Sequence, residues 1–153
     1  MDLNMVIGLM TIEEIHKLWS RDAKIDDLEL DLESLKIPQL HSKYMKILNG
    51  ENVQLSKMQY SHKALERDKL EYYQGKMCEE DLQERGWQPL ALKVLRGDAP
   101  KYVEGDKDVI RHLIQIADQK EKVILLRSIV ESVNSRSFII NNAIRWKQFT
   151  NPS

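Results

Sequence analysis

From Lys107 to Phe149 the chain contains neither proline nor glycine. A stretch this long without either breaker is predicted to be one continuous helix. Its apolar residues Val109, Ile116, Val123, Leu126, Val130, Val133, Ile140 and Ile144 follow alternating spacings of three and four, the period of a helix seam. His112, Gln119 and Ser137 must fill the remaining seam places. Asp106 is placed to cap the N-terminus, and Asp108 in the first turn suits the positive end of the helix. Such a ~40-residue helix spans about 60 Å, more than a compact domain of 153 residues requires. A second apolar face (Ile110, Leu113, Ala117, Ile124, Leu125, Ile129) needs cover. Either the N-terminal part folds back on it or other copies of the chain pack there.

The remaining chain reads as mainly α. Thr11-Ile12-Glu13-Glu14 is a capping box, so the ordered fold begins near Thr11, with residues 1–10 an N-terminal extension and Met5 and Met10 alternative starts. Ile12, Ile15, Leu18 and Trp19 give the next helix one apolar side. The segment IDDLELDLESLKI alternates like a strand at its centre but also fits a helix, the reading preferred. Pro38 is expected to end it and to start another helix, which Asn49-Gly50 stops or turns. Glu51 to Tyr73 is a second long helical pattern, closed by Gly75. Its seam runs through Leu55, Met58, Leu65 and Tyr72, with His62 and Lys69 at the places between. Residues 76–105 hold Gly86, Pro89, Gly97, Pro100 and Gly105, all turn formers. LALKVL and KYVE could pair there as a small β-hairpin, with a loose acidic connector as the alternative. The expected organisation is a helical part over 11–75, a connector over 76–105 and the long helix over 106–153.

Charge follows the same segments. The formal balance is −5 over residues 1–37, +3 over 38–77, −3 over 78–106 and +4 over 107–153, which the overall −1 conceals. Basic segments that coincide with long helical patterns suit a polyanion partner as well as self-complementary packing. The single Cys78 allows no intramolecular disulfide. No apolar run approaches the ~18 residues of a membrane span, and the first ten residues lack the basic start of a signal peptide. No phosphate-cradling loop, nucleophile elbow or zinc-protease motif occurs. The four histidines are widely spaced and give no metal-ligand pair. Catalytic residues and a metal site are therefore not expected.

One segment carries nucleic-acid chemistry. KMQYSHKALERDKLEYYQGK, residues 57–76, interleaves bases with Tyr60, Tyr72 and Tyr73. Lys and Arg neutralise phosphates and tyrosine stacks on exposed bases. The alternative is that Tyr72 and Tyr73 pack a helix interface and the bases are merely exposed.

Two blocks carry a family resemblance. The first, Ile25 to Gly75, ends in Arg67-Asp68-Lys69-Leu70-Glu71-Tyr72-Tyr73-Gln74-Gly75, a basic-x-basic-Leu-acidic-Tyr-Tyr-x-Gly pattern, and also has Ser42-Lys43-Tyr44. The second, Asp106 to Phe149, opens with Asp106-Lys107-Asp108-Val109 and later holds Ser135-Arg136-Ser137-Phe138. In order and spacing these resemble the UvsY family of phage recombination mediators. Departures are the first ten residues, residues 76–105, and Ser137 where the family has glycine. The resemblance implies single-stranded DNA binding, no cofactor, no catalysis, and a homo-oligomeric ring of about six or seven chains. It also implies loading of a UvsX-like phage recombinase onto strands coated by the phage single-stranded-DNA-binding protein, in the cytoplasm of the infected host. Residue by residue it places DNA contacts at Arg67 and Lys69, with Lys63 a further basic match and Tyr72 or Tyr73 stacking or packing. Oligomerisation falls to the C-terminal helix, at Val130, Val133, Ile139, Ile140, Ile144, Trp146 and Phe149. Arg136 is expected to make a helix–helix contact rather than to touch DNA. An α-helical oligomeric adaptor that binds protein partners only is the alternative function.

Overall fold

Asp106 caps the long helix as its position suggests. In a computed structural model that describes Met10–Pro152, its Oδ1 accepts hydrogen bonds from the amides of Asp108 (2.8 Å) and Val109 (3.3 Å). The expected extension and the alternative start at Met5 lie, Met10 excepted, outside the described residues. Among the described residues five helices follow in order: α1 (Ile12–Asp22), α2 (Leu30–Tyr73), α3 (Glu79–Arg85), α4 (Ala99–Glu104) and α5 (Lys107–Thr150). Among the described residues there is no strand, and no helix is long and apolar enough to cross a membrane.

Three local expectations are corrected. Pro38 does not separate two helices but lies inside α2. Its ring forfeits one backbone bond, to the carbonyl of Ser34, at a cost of about 3 kcal/mol. Both residues are exposed, so water can serve the freed carbonyl. Asn49-Gly50 neither stops nor turns the chain. A helical glycine costs about 1 kcal/mol relative to alanine. Burying Tyr44 and Leu48, which are 0% and 7% exposed just before it, returns about 1.5–3 kcal/mol per side chain. The expected hairpin is absent: KYVE belongs to α4, with Pro100 in its first turn, where a missing amide does no harm. Ala99 and Val103 face inward from that single turn and a half, a helical rather than an alternating pattern.

The chain clusters into two compact units: the first runs up to Gln54 and resumes from Gln119, and the second is Leu55–Asp118. Both long helices contribute to each.

In the first unit, α1 begins with the expected reciprocal box. The Glu14 amide donates to Thr11 Oγ1 (3.2 Å) and the Thr11 amide to Glu14 Oε2 (2.8 Å). Ile15 is fully buried, and Trp19 meets Tyr44 of α2 edge-on, with ring centroids 5.4 Å apart. From α5, Val123, Leu126, Ile129, Val130, Val133 and Ile140 complete the core. Two polar pairs fix the antiparallel register of α2 against α5. Arg136 meets Glu33 at 3.2 Å. Gln119 donates to the Glu51 carboxylate at 2.5 Å and to its carbonyl at 3.0 Å. All four side chains are buried, so a slipped register would strand charges in an apolar seam. Arg136 rather than Ser137 takes the seam place.

In the second unit, Val109 and Ile116 pack with Leu82, Ala99 and Val103 as its apolar core. The seam places read from the sequence are again polar. His62 and His112 stack with ring planes 15° apart and Nδ1 atoms at 3.3 Å. Gly75 (φ +70) and Gly86 (φ +66) end α2 and α3 in the left-handed region. In each case the next amide, Lys76 or Trp87, bonds back to the helix (3.0 and 2.9 Å).

Candidate nucleic-acid interface

α2 buries one face and turns the opposite one outward. Within Leu55–Asp118, His62 and Lys69 are on the inward face, with Leu55, Met58, Leu65 and Tyr72 partly covered beside them. Tyr60, Lys63 and Arg67 are exposed. Spaced by three and four residues, they form one strip along the helix, with exposed Lys57 one turn before Tyr60. The Lys63 ammonium lies 5.8 Å from the Tyr60 ring centroid, and that ring is 72% exposed. Arg67 keeps 71% of its side chain in solvent while resting 3.3 Å from Asp68. Asp68 is tied more closely to Arg85 of α3, at 3.1 Å. Burial would raise the Asp68 carboxyl, but hydrogen bonds from Arg85 and Arg67 outweigh it and hold the group below its ordinary range. An aromatic face beside two solvated cations can stack on a base while neutralising the flanking phosphates.

Lys69 and the paired tyrosines sit differently from that strip. The Lys69 ammonium, 5% exposed, lies 3.0 Å from Asp106 and 2.9 Å from Asp108, and 4.1 Å from the Trp87 ring centroid. The Tyr73 hydroxyl donates to Asp106 (2.8 Å) and the Tyr72 hydroxyl to the Gln88 carbonyl (2.7 Å). Tyr72 also meets Trp87 edge-on at 5.5 Å. Burial would push the Asp106 carboxyl up. Hydrogen bonds from Tyr73, Lys69 and the Asp108 and Val109 amides prevail and hold it down. Burial and that same bond push the Tyr73 phenol well above its usual range. These contacts hold the α2 C-terminus, the Trp87 segment and the α5 N-terminus together. The structure thus brings Lys63 and Arg67 together on the surface, and Lys69, Tyr72 and Tyr73 together in the packed cluster. Tyr60, not among the tyrosines that the family pattern selects, is the exposed ring beside the cations. Its position opposite the Leu55–Tyr72 seam was the signal available in the sequence.

The C-terminal residues expected to join copies also divide. Val130, Val133 and Ile140 are covered within the chain. Ile144 is half-covered, and Ile139, Trp146 and Phe149 are 52%, 66% and 77% exposed. Phe138, 69% exposed, is a neighbour the expectation omitted. Of the second apolar face, Ile129 is buried, while Ile110, Leu113 and Ile124 are 42–55% exposed.

Comparison with family models matches residues 18–153 to the family described as the recombination, repair and single-stranded-DNA-binding protein UvsY. The chain belongs to the UvsY family. Two crystal structures of the bacteriophage T4 recombination mediator protein UvsY, lattice types II and IV, are similar to it in fold. Each superposes with a TM-score of 0.78 at 18% and 17% identity. They cover 93% and 92% of this chain and 98% and 99% of their own. Comparison with curated protein sequences gives no match. The all-helical UvsY architecture therefore extends to a member whose sequence has diverged to below one identical residue in five.

Proposed function

We propose that this UvsY-family chain is a recombination mediator that binds single-stranded DNA and has no catalytic activity of its own. The observation that carries the reading is the exposed Tyr60–Lys63–Arg67 strip on the face of α2 opposite its buried seam. Lys63 and Arg67 take phosphates and Tyr60 stacks on a base. Lys69 acts from behind by fixing the end of the helix, with Tyr72 and Tyr73 packed beside it.

A homo-oligomeric ring of about six or seven chains repeats the strip, so weak contacts add to a firm but reversible hold. Ile139, Ile144, Trp146 and Phe149, with Phe138, form the contact between copies. Val130, Val133 and Ile140 support it from inside the chain. A hold of this kind lets the strand pass to a UvsX-like recombinase while the coat of single-stranded-DNA-binding protein is loosened.

The test is assembly of the phage recombinase on single strands already coated by the phage single-stranded-DNA-binding protein. Wild type is expected to shorten the lag. Lys63→Ala/Arg67→Ala, of unchanged oligomer mass, is expected not to. A wild type of correct mass that binds no single strand would instead support a protein-only adaptor.

A further inference from the structure

Where α1 ends, the first unit forms an open pocket of about 370 Å³ whose lining is dominated by cations. Arg21, Lys24, Lys36, Lys43 and Arg136 contribute five positive charges. Asp22 and Glu33 return only two negative ones, a surplus of three. Arg136 anchors the floor. Its Nη1 donates to the carbonyls of Asp22 (3.1 Å) and Ala23 (3.2 Å), and its Nη2 to that of Lys24 (2.7 Å) and to Glu33 (3.2 Å). Its Nε is buried without a hydrogen-bond partner in a side chain only 4% exposed.

The acids are already spoken for. Lys43 holds Asp22 at 2.5 Å, and Lys36 holds Glu33 at 2.7 Å. Arg21 and Lys24 remain at the mouth, Arg21 with 74% of its side chain in solvent, 3.8 Å from Asp22. Glu29 and Asp26 also act on Lys36, but a lining with more cations than acids in a concave site still concentrates anions. Arginine forks and lysine ammoniums suit the tetrahedral oxygens of a phosphate, and the volume admits one phosphate with its sugar.

We infer that this pocket, lined by Arg21, Lys24, Lys36, Lys43 and Arg136, is a second phosphate-binding site that takes a backbone phosphodiester of the single strand. It lies in the unit that does not contain the α2 strip. The inference rests on the proposed DNA-binding function and adds a contact that the family pattern around Arg67 does not include.

The test compares wild type with Arg21→Gln/Lys24→Gln and with Lys24→Gln alone, whose side chains are exposed and leave the Arg136 network intact. Oligomer mass is checked for each. One arm measures thermal stability in inorganic phosphate against chloride at equal ionic strength. A ligand that binds the folded state raises it, so wild type is expected to gain more than either variant. The other arm measures binding to a labelled oligothymidylate against salt. The double variant is expected to lose at least about 0.7 from the slope of log affinity on log salt, one phosphate's worth. Stabilisation by phosphate with an unchanged slope would overturn the assignment to the strand and leave a site for free phosphate only. No difference between wild type and variants in either arm would overturn the site itself. A wild type that binds no strand at all would fail the proposed function, a result distinguishable because the phosphate arm needs no DNA.

Discussion

Removing the Lys69 ammonium should damage the fold before it damages DNA binding. In Lys69→Ala, Asp106 would keep a carboxylate of 7% exposure without its cation, and the contact with Trp87 would go too. Breaking a buried pair from one side costs about 3–5 kcal/mol. At about 2–4 °C per kcal/mol for a chain of this size, the midpoint should fall by roughly 6–20 °C. Arg67→Ala removes a side chain that is 71% exposed, and Asp68 keeps Arg85. That loss is at most about 1 kcal/mol, a few degrees. Asp106→Asn added to Lys69→Met removes both charges, and asparagine still caps α5. Asp108 retains Arg111 at 3.3 Å. Most of the lost stability should therefore return, because a neutral replacement leaves no stranded ion.

The assay is thermal unfolding at one protein concentration with oligomer mass recorded, beside fluorescence anisotropy of a labelled single strand. The double replacement should bind DNA within about twofold of wild type, whereas Arg67→Ala should lose about tenfold or more, one charged hydrogen bond's worth of about 1.5–3 kcal/mol. A stable Lys69→Ala that has lost the strand would refute the reasoning. So would a folded double replacement that no longer binds while Arg67→Ala does.

Arg136→Met should cost about 3–5 kcal/mol in urea denaturation, because it leaves buried Glu33 with Lys36 alone and three carbonyls at the end of α1 without their donor. Arg136→Lys should recover little of that, since an ammonium cannot span the same fork. Acid should unfold the chain through carboxyls whose folded values are depressed. Asp22, Asp68 and Asp106 contribute stability that is complete above their unfolded values near ~4 and is lost as pH falls through the lower folded ones. A pH titration of stability should accordingly be steep below about pH 4, and Asp106→Asn should flatten it. Replacing Trp146 and Phe149 together by serine should lower the oligomer mass in sedimentation while leaving helicity unchanged, because both rings are mostly exposed in the single chain.

Much of this was legible in the sequence where the signal was long and periodic. The seam of α5 holds at Val109, Ile116, Val123, Leu126, Val130, Val133 and Ile140. Its gaps at His112 and Gln119 are filled by His62 and Glu51, polar partners on α2. Local signals failed where packing outweighed them. Pro38 and Gly50 are breakers by propensity, but α2 continues through both because its buried side chains lie on either side. LALKVL and KYVE alternated just enough to suggest strands, and no sheet was there to receive them.

The candidate site shows the same division in sharper form. Arg67 and Lys69 are equivalent in a motif of alternating bases, yet two residues along a helix turn a side chain by about 200°. The Leu55–Met58–His62–Leu65–Lys69 spacing had already placed Lys69 on the inward face. Tyr60, Lys63 and Arg67 are the complement of that seam. What spacing alone could not supply was the identity of the partners, Asp106 and Asp108, which come from the far end of the connector. The pocket beside α1 was equally hidden, since its cations are drawn from residues 21–43 and from Arg136.

The central claim is that this chain holds a single strand through the outward face of α2. Its most direct test is the anisotropy of a labelled oligothymidylate titrated with wild type and with Lys63→Ala/Arg67→Ala over a range of salt. The account predicts wild-type binding that weakens with salt, and a double variant of unchanged oligomer mass with lower affinity and a shallower slope. Equal affinity and equal slope for the two proteins would contradict it.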